Sequence, residues 1–237
     1  MTFDLLSAIE LTTSAAIAIT IVALAVAATP DRRIRLAAAL ATWFVVIVAL
    51  GASRAFSYGG AFGVPGMGLA VMLPILVMTA LIFATARGRR ALTDAPVPML
   101  IGLNVVRIAG VTFLLLHAAG RLPAPFAPVA GWGDMAVGAA APLIAWMVLR
   151  DHPWSRHAAL AWNAFGLLDL VTAVSLGVTS SPGPLRVFIG DPSSAIMSEL
   201  PWLLVPGFLV PLLAFSHVVL FARLAGSPRL HRRALVA

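Results

Sequence analysis

Asp169 stands in the middle of WNAFGLLDLVTAVSLG, Trp162 to Gly177, a stretch otherwise apolar enough to cross a membrane. A carboxylate in hydrocarbon is costly, so it must meet an opposite charge, a hydrogen-bond donor or water. At helical spacing Gly166, Asp169, Ala173 and Gly177 share one stripe of small residues, which lets a neighbouring helix come close. Arg107 sits at the same depth, in the middle of another apolar stretch. A single charge at mid-membrane costs about 2.5–3.5 kcal/mol on insertion scales, so two opposite charges at one level predict an Arg107–Asp169 pair. Asn104 lies one helical turn before Arg107 and shares its face.

Other polar residues fall at other depths. At ~1.5 Å rise per residue, Asp134 lies roughly 9 Å and Glu10 about 12 Å to one side of the midplane. His117 is at the end of its helix on that same side, while Asn163 and His217 sit roughly 4–8 Å to the other. Gly131, Asp134, Gly138, Ala141 and Ala145 form a second small stripe around a carboxylate. If the two stripes pack together, Asp134, His117, Glu10, Arg54 and Glu199 converge in a polar cavity at the outer mouth. Three chemistries follow from these sets. A midplane pair at Arg107 and Asp169 suits a transporter or a proton relay, with Asp134, His117, Glu10, Asn104, Asn163 and His217 as further binding or relay groups. The alternative is a non-catalytic membrane subunit or scaffold whose buried charges are structural. The third is an intramembrane enzyme or cofactor protein using His117, Asp134 and Glu10; the chain reads as leaning away from an enzyme.

Several chemistries are excluded by composition. The chain has no cysteine, so thiolates and disulfides are absent, and its sixteen basic residues are all arginine. Without lysine, retinal bound as a Schiff base is excluded; no other cofactor is specified. No metal site is expected, because no H-x-x-x-H falls in a span. His117 and His217 differ in expected depth by roughly 20 Å, too far apart to ligate one haem. Ser216 beside His217 does not make a dyad, since adjacent helical positions point about 100° apart. G-x-S-x-G, H-E-x-x-H and the P-loop are missing.

The elements that position these groups are transmembrane helices. The 237 residues are 61% hydrophobic and 11% charged, which places the chain among polytopic membrane proteins. The fold class expected is all-α, a single domain over 1–237 made of a seven-helix bundle. Its spans are about 8–28, 35–53, 66–86, 97–117, 131–149, 158–177 and 202–222, each near the ~20 residues that a ~30 Å core requires. The connections 54–65 and 178–201 are rich in Gly, Pro and Ser and read as irregular loops. Pro74, Pro142, Pro206 and Pro211 fall inside spans, where each removes a backbone donor and bends the helix. The start MTFDLLSAIELTTS has no basic region and carries Asp4 and Glu10, so the first span is expected to be retained as a helix.

Arginines divide unevenly between the two ends of the bundle. Arg32, Arg33, Arg35, Arg87, Arg89, Arg90, Arg150, Arg156, Arg223, Arg229, Arg232 and Arg233 fall on one side, against Arg54, Arg121 and Arg186 on the other. The positive-inside rule then puts the N-terminus outside and the C-terminus in the cytoplasm. The same clustering explains the net charge of +7 by membrane topology, and no nucleic-acid partner is expected. The partners expected are the lipid bilayer and an oligomer or membrane-complex subunit.

Three segments carry a resemblance: GRLPAPFAPVAGWGDMAVG (Gly120–Gly138), WNAFGLLDL (Trp162–Leu170) and LPWLLVPGFLVPLLAFSH (Leu200–His217). They resemble a group of small bacterial membrane proteins known only as hypothetical. The resemblance implies a seven-helix bundle in a bacterial cytoplasmic membrane, and it implies no activity, cofactor or catalytic residue.

Overall fold

A computed structural model describes residues 2–57 and 59–226, so Arg229, Arg232 and Arg233 of the basic tally lie outside the described residues. The described chain is helical, with no strand among the described residues. Among the described residues seven helical segments are long and apolar enough to cross a membrane, which makes this a multi-pass integral membrane protein. Its environment is the lipid bilayer.

The first span is α1 (Thr2–Val26) and the second α2 (Pro30–Ala52), which starts where Pro30 supplies a fixed φ at its first turn. The third is α3 (Gly63–Ala84). The polar run ARGRRALTD, expected as a plain connection, folds instead into a short helix, α4 (Ala86–Asp94). Thr85 caps it: the Thr85 Oγ1 accepts from Gly88 N at 2.9 Å. The exposed Arg87 and Arg89 and the half-buried Leu92 then give it a polar and an apolar face.

The fourth span is built from three pieces. α5 (Val97–Leu103) runs into a 3-10 segment, Asn104–Gly110, and then into α6 (Val111–Ala118). α7 (Phe126–Leu149) and α8 (Ser155–Thr179) follow, and the chain closes on a π-turn, Val205–Leu209, continued by α9 (Val210–Gly226). The π-turn contains Pro206 and ends two residues before Pro211, and the missing N–H groups of these prolines break the α-helical ladder there.

The fourth and seventh spans form the centre. In their most apolar stretches 56% and 67% of residues are buried against protein, while α3 has 11% and α2 17% and so face lipid. Two apolar cores stack along the bundle axis. One, around Phe113, Phe126, Trp202 and Phe208, fills the end with the long connections. The other, around Ile101, Val148, Trp162 and Leu224, fills the end where the arginines cluster. Between them lies a polar layer, as the order along three segments shows: Ala130–Asp134–Val137, Trp162–Asp169–Leu170 and Leu213–His217–Val219, with Arg107 of the fourth span bonded to its members.

Candidate functional site

Arg107 is the hub of that layer. It is fixed in the 3-10 segment, and 1% of its side chain is exposed. Its Nε donates to Asp134 Oδ1 at 2.7 Å and its Nη2 donates to Asp169 Oδ2. Nη1 donates to the Gly166 carbonyl at 3.0 Å and lies 3.1 Å from His217 Nε2. A guanidinium only donates, so His217 Nε2 accepts and the imidazole carries its proton on Nδ1. That proton points to Asn163 Oδ1 at 2.7 Å, and Asn163 Nδ2 returns a hydrogen bond to the His217 carbonyl at 3.0 Å. The Trp162 ring lies 5.5 Å from the imidazole, and its Nε1 donates to Val137 O at 3.1 Å. Three helices and the 3-10 segment are therefore pinned through one side chain.

Small residues make room for it. A Cβ on Gly133 would collide with the Asp169 carboxylate, and one on Gly166 would come within 2.5 Å of His217 Cε1. The glycines of the two stripes meet different neighbours rather than each other. Gly131 and Gly138 of α7 abut Gly110 O and Ile108 N of the 3-10 segment, and Gly166 of α8 abuts His217 of α9. The reason is that the fourth span, not α8, brings backbone closest to α7's small face.

Two depths need correction, for one physical reason. α7 starts at Phe126, five residues before the expected boundary, so its middle shifts and Asp134 lies only about 5 Å from it, within reach of an arginine side chain. The last span runs Val205–Ala225, which leaves His217 two residues from its middle, about 3 Å, rather than well toward one end. Asp134 and His217 thus join the Arg107–Asp169 layer. Asn104 is buried beside it, but its Nδ2 donates to Leu100 O at 3.1 Å, and it makes none of the bonds to Arg107.

The outer group does not assemble. Asp134 is held by Arg107; Glu10 accepts from Thr112 Oγ1; the exposed His117 donates from Nδ1 to Leu122 O at 3.0 Å in its own turn. Arg54 and Glu199 are exposed. An enzyme built on His117, Asp134 and Glu10 therefore lacks a common centre. What the sequence reading missed at this end is a link of Asp4, Arg121 and Trp202. Arg121 Nη1 donates to Asp4 Oδ1 at 2.6 Å, and its guanidinium sits 4.6 Å from the Trp202 ring centre. The available signal was that all three fall at one membrane end, beside span boundaries. Among the described residues no three of His, Asp and Glu are grouped to hold a metal ion.

A cavity of about 440 Å³ opens beside the layer. It lies between α3 and α8, both of which pack on the last span, and its wall includes Val205, Pro206 and Val210 of the π-turn region. Residues 181–185 and 194–198 of the long connection close its end, held there by Ser194 Oγ, which donates to Gly177 O at 2.6 Å. The expected cavity was polar; this one is lined by Phe, Met, Val, Leu, Ala and Pro, with three serines. Asp134 is the one charged residue in its lining. Of the other side chains expected at the mouth, Glu10 bonds to Thr112, His117 bonds within its own turn, and Arg54 and Glu199 are exposed, which leaves the wall largely apolar.

These features define a class: a seven-helix integral membrane protein with a buried arginine–carboxylate–histidine layer touching an apolar cavity. The chain belongs to the family described as a domain of unknown function, DUF8737, whose profile matches residues 64–225. That stretch contains Arg107, Asp134, Asn163, Asp169 and His217, together with the cavity wall from Met67 to Val210, apart from Phe56. No curated protein and no solved structure matches the chain.

Proposed function

We propose that this protein is a carrier-type membrane protein that takes an apolar or amphipathic small molecule into the cavity and links its binding to a proton in the Arg107 layer. The observation that carries the reading is the double position of Asp134. Asp134, whose carboxylate is bonded to Arg107, keeps 13% of its side chain exposed and belongs to the cavity lining. A ligand in the cavity therefore changes the surroundings of a group that is electrostatically tied to Asp169 and, through Arg107, to His217. Cavities of 300–1,000 Å³ with apolar walls and a few polar groups are the usual form of small-molecule sites. Midplane sites built near interrupted helices are usual in carriers, and here a 3-10 segment interrupts the fourth span while a π-turn opens the seventh.

In this reading the N-terminus is outside and the C-terminus cytoplasmic, because the arginine-rich connections gather at one end of the bundle. The membrane is that of a bacterial cell, as the resemblance of the 120–138, 162–170 and 200–217 segments implies. The cavity then opens toward the outer leaflet.

Native mass spectrometry of protein extracted from its own membrane tests the binding part. The wild type is expected to carry an apolar small molecule that Ala173→Phe, a cavity-wall change on α8, expels. Clean wild-type protein under conditions that retain lipids would sink the reading. A second reading, a scaffold with a structural ion layer, is favoured by the four ties that already engage Arg107. It expects Asp134→Asn to lower stability and leave bound small molecules unchanged.

A further inference from the structure

We propose that the cavity's ligand is a lipophilic monocation, an amine or quaternary ammonium on an apolar body, and that it exchanges with one proton at Asp134. This rests on the ligand-binding reading above and adds the charge class of the ligand.

The formal charges of the layer do not cancel. Arg107 brings one positive charge, and Asp134 and Asp169 bring two negative ones. His217 adds none, because its Nε2 accepts from a guanidinium that has only donors. Neutrality in a low-dielectric interior, where an uncompensated charge is expensive, needs one more positive charge. A proton on the carboxylate pair supplies it when the cavity is empty of cations. A ligand cation supplies it otherwise.

The cavity decides where that second charge can be placed. Of the layer's members only Asp134 reaches the lining. The groups facing Asp134 are Arg107 from the 3-10 segment and, beyond it, Asp169 from α8 and His217 from α9; the wall residues of α3 and of the 181–185 and 194–198 stretches are not titratable, and Arg186 and Asp191 between those stretches lie outside the lining. An anionic ligand would meet the carboxylate first, while four of the five Arg107 N–H donors are already engaged and the side chain is 1% exposed. A cation meets the carboxylate in a wall that also holds Phe56, Phe113 and Phe126, aromatic rings of the kind whose faces attract positive charge. The remaining wall, including Met67, Met72 and Leu170, suits a hydrocarbon body. As the ammonium arrives, the displaced proton leaves to water, so the layer keeps its net charge through the exchange.

The test uses the full chain in phosphatidylcholine nanodiscs and two tritiated probes of one shape: trimethyl(6-phenylhexyl)ammonium and its uncharged tert-butyl isostere, 7,7-dimethyl-1-phenyloctane. Binding is corrected for empty nanodiscs. The ammonium is expected to bind roughly 10-fold or more tightly than the isostere, the scale of one desolvated charge contact. It should release one proton per cation in weakly buffered solution and bind more weakly as pH falls. Asp134→Asn should erase the preference for charge, and Ala173→Phe should remove binding of both probes. If Asp134→Asn does not fold, the proton count and the preference of the wild type decide alone. Equal binding of the two probes, or preference for the neutral one as an acyl-chain site would show, overturns the cation inference and leaves the cavity reading standing. Binding of neither probe overturns both. Charge preference without proton release overturns the exchange.

Discussion

Two arginine–aspartate contacts in this molecule have the same chemistry and different surroundings. Arg107 touches Asp134 and Asp169 with side chains 1%, 13% and 6% exposed, whereas Arg121 and Asp4 meet at 35% and 43%. In the first, both carboxylates share one buried guanidinium, so losing Arg107 strands two negative charges. In the second, solvent screens each charge, and the pair chiefly orients the start of α1 against the 119–125 connection and Trp202. The lesson is that location, not residue type, decides whether such a pair holds the fold.

The comparison breaks most visibly at Arg107. Arg107→Met should destabilise the protein by about 3–5 kcal/mol, because two buried carboxylates lose their common partner. Unfolding in mixed detergent checks this, and adding Asp169→Asn should recover part of the loss; a single change with wild-type stability would make the layer dispensable. Gly133→Ala comes next: the new methyl meets the Asp169 carboxylate, and overpacking of this kind costs about 1–3 kcal/mol. The same unfolding assay reads it, with Gly68→Ala, where an added Cβ meets open space, as the unaffected control. Trp162→Phe removes the Nε1 bond to Val137 O and should cost about 0.5–1.5 kcal/mol beyond the loss of packing. Comparison with Trp146→Phe, an exposed tryptophan on α7, separates the two terms. The smallest effect belongs to Asp4→Asn, expected to leave the unfolding midpoint unchanged at moderate salt. A large drop there would erase the distinction between the two sites.

The midplane pair was legible because both residues sit near the middle of long apolar runs, where a boundary error of a few residues changes little. Asp134 and His217 were misplaced because their depths depend on where a span begins. The run GRLPAPFAP hides the start of α7 at Phe126, and LPWLLVPG hides a π-turn rather than an α-helical start. Small stripes were visible, but glycine spacing does not name the neighbour: Gly138 meets Ile108 and Gly166 meets His217. The cavity was invisible, since its wall is assembled from α3, α8, the last span and the 181–198 connection. Polarity at the mouth was overestimated because His117 bonds to its own turn and Glu10 to Thr112.

The 3-10 segment around Arg107 has one more effect, on how far its helix reaches. A 3-10 turn climbs about 2.0 Å per residue against 1.5 Å in an α-helix, so seven residues gain about 3.5 Å. Val97–Ala118 has 22 residues, fewer than the 24 and 25 of its neighbours α7 and α8. Stretched in this way it extends about 36 Å, matching the roughly 36–38 Å of those two helices. The guanidinium thus occupies the part of the chain that acts as a length adjuster. The winding that brings the shortest of the three to full span also sets the height at which Arg107 meets its partners.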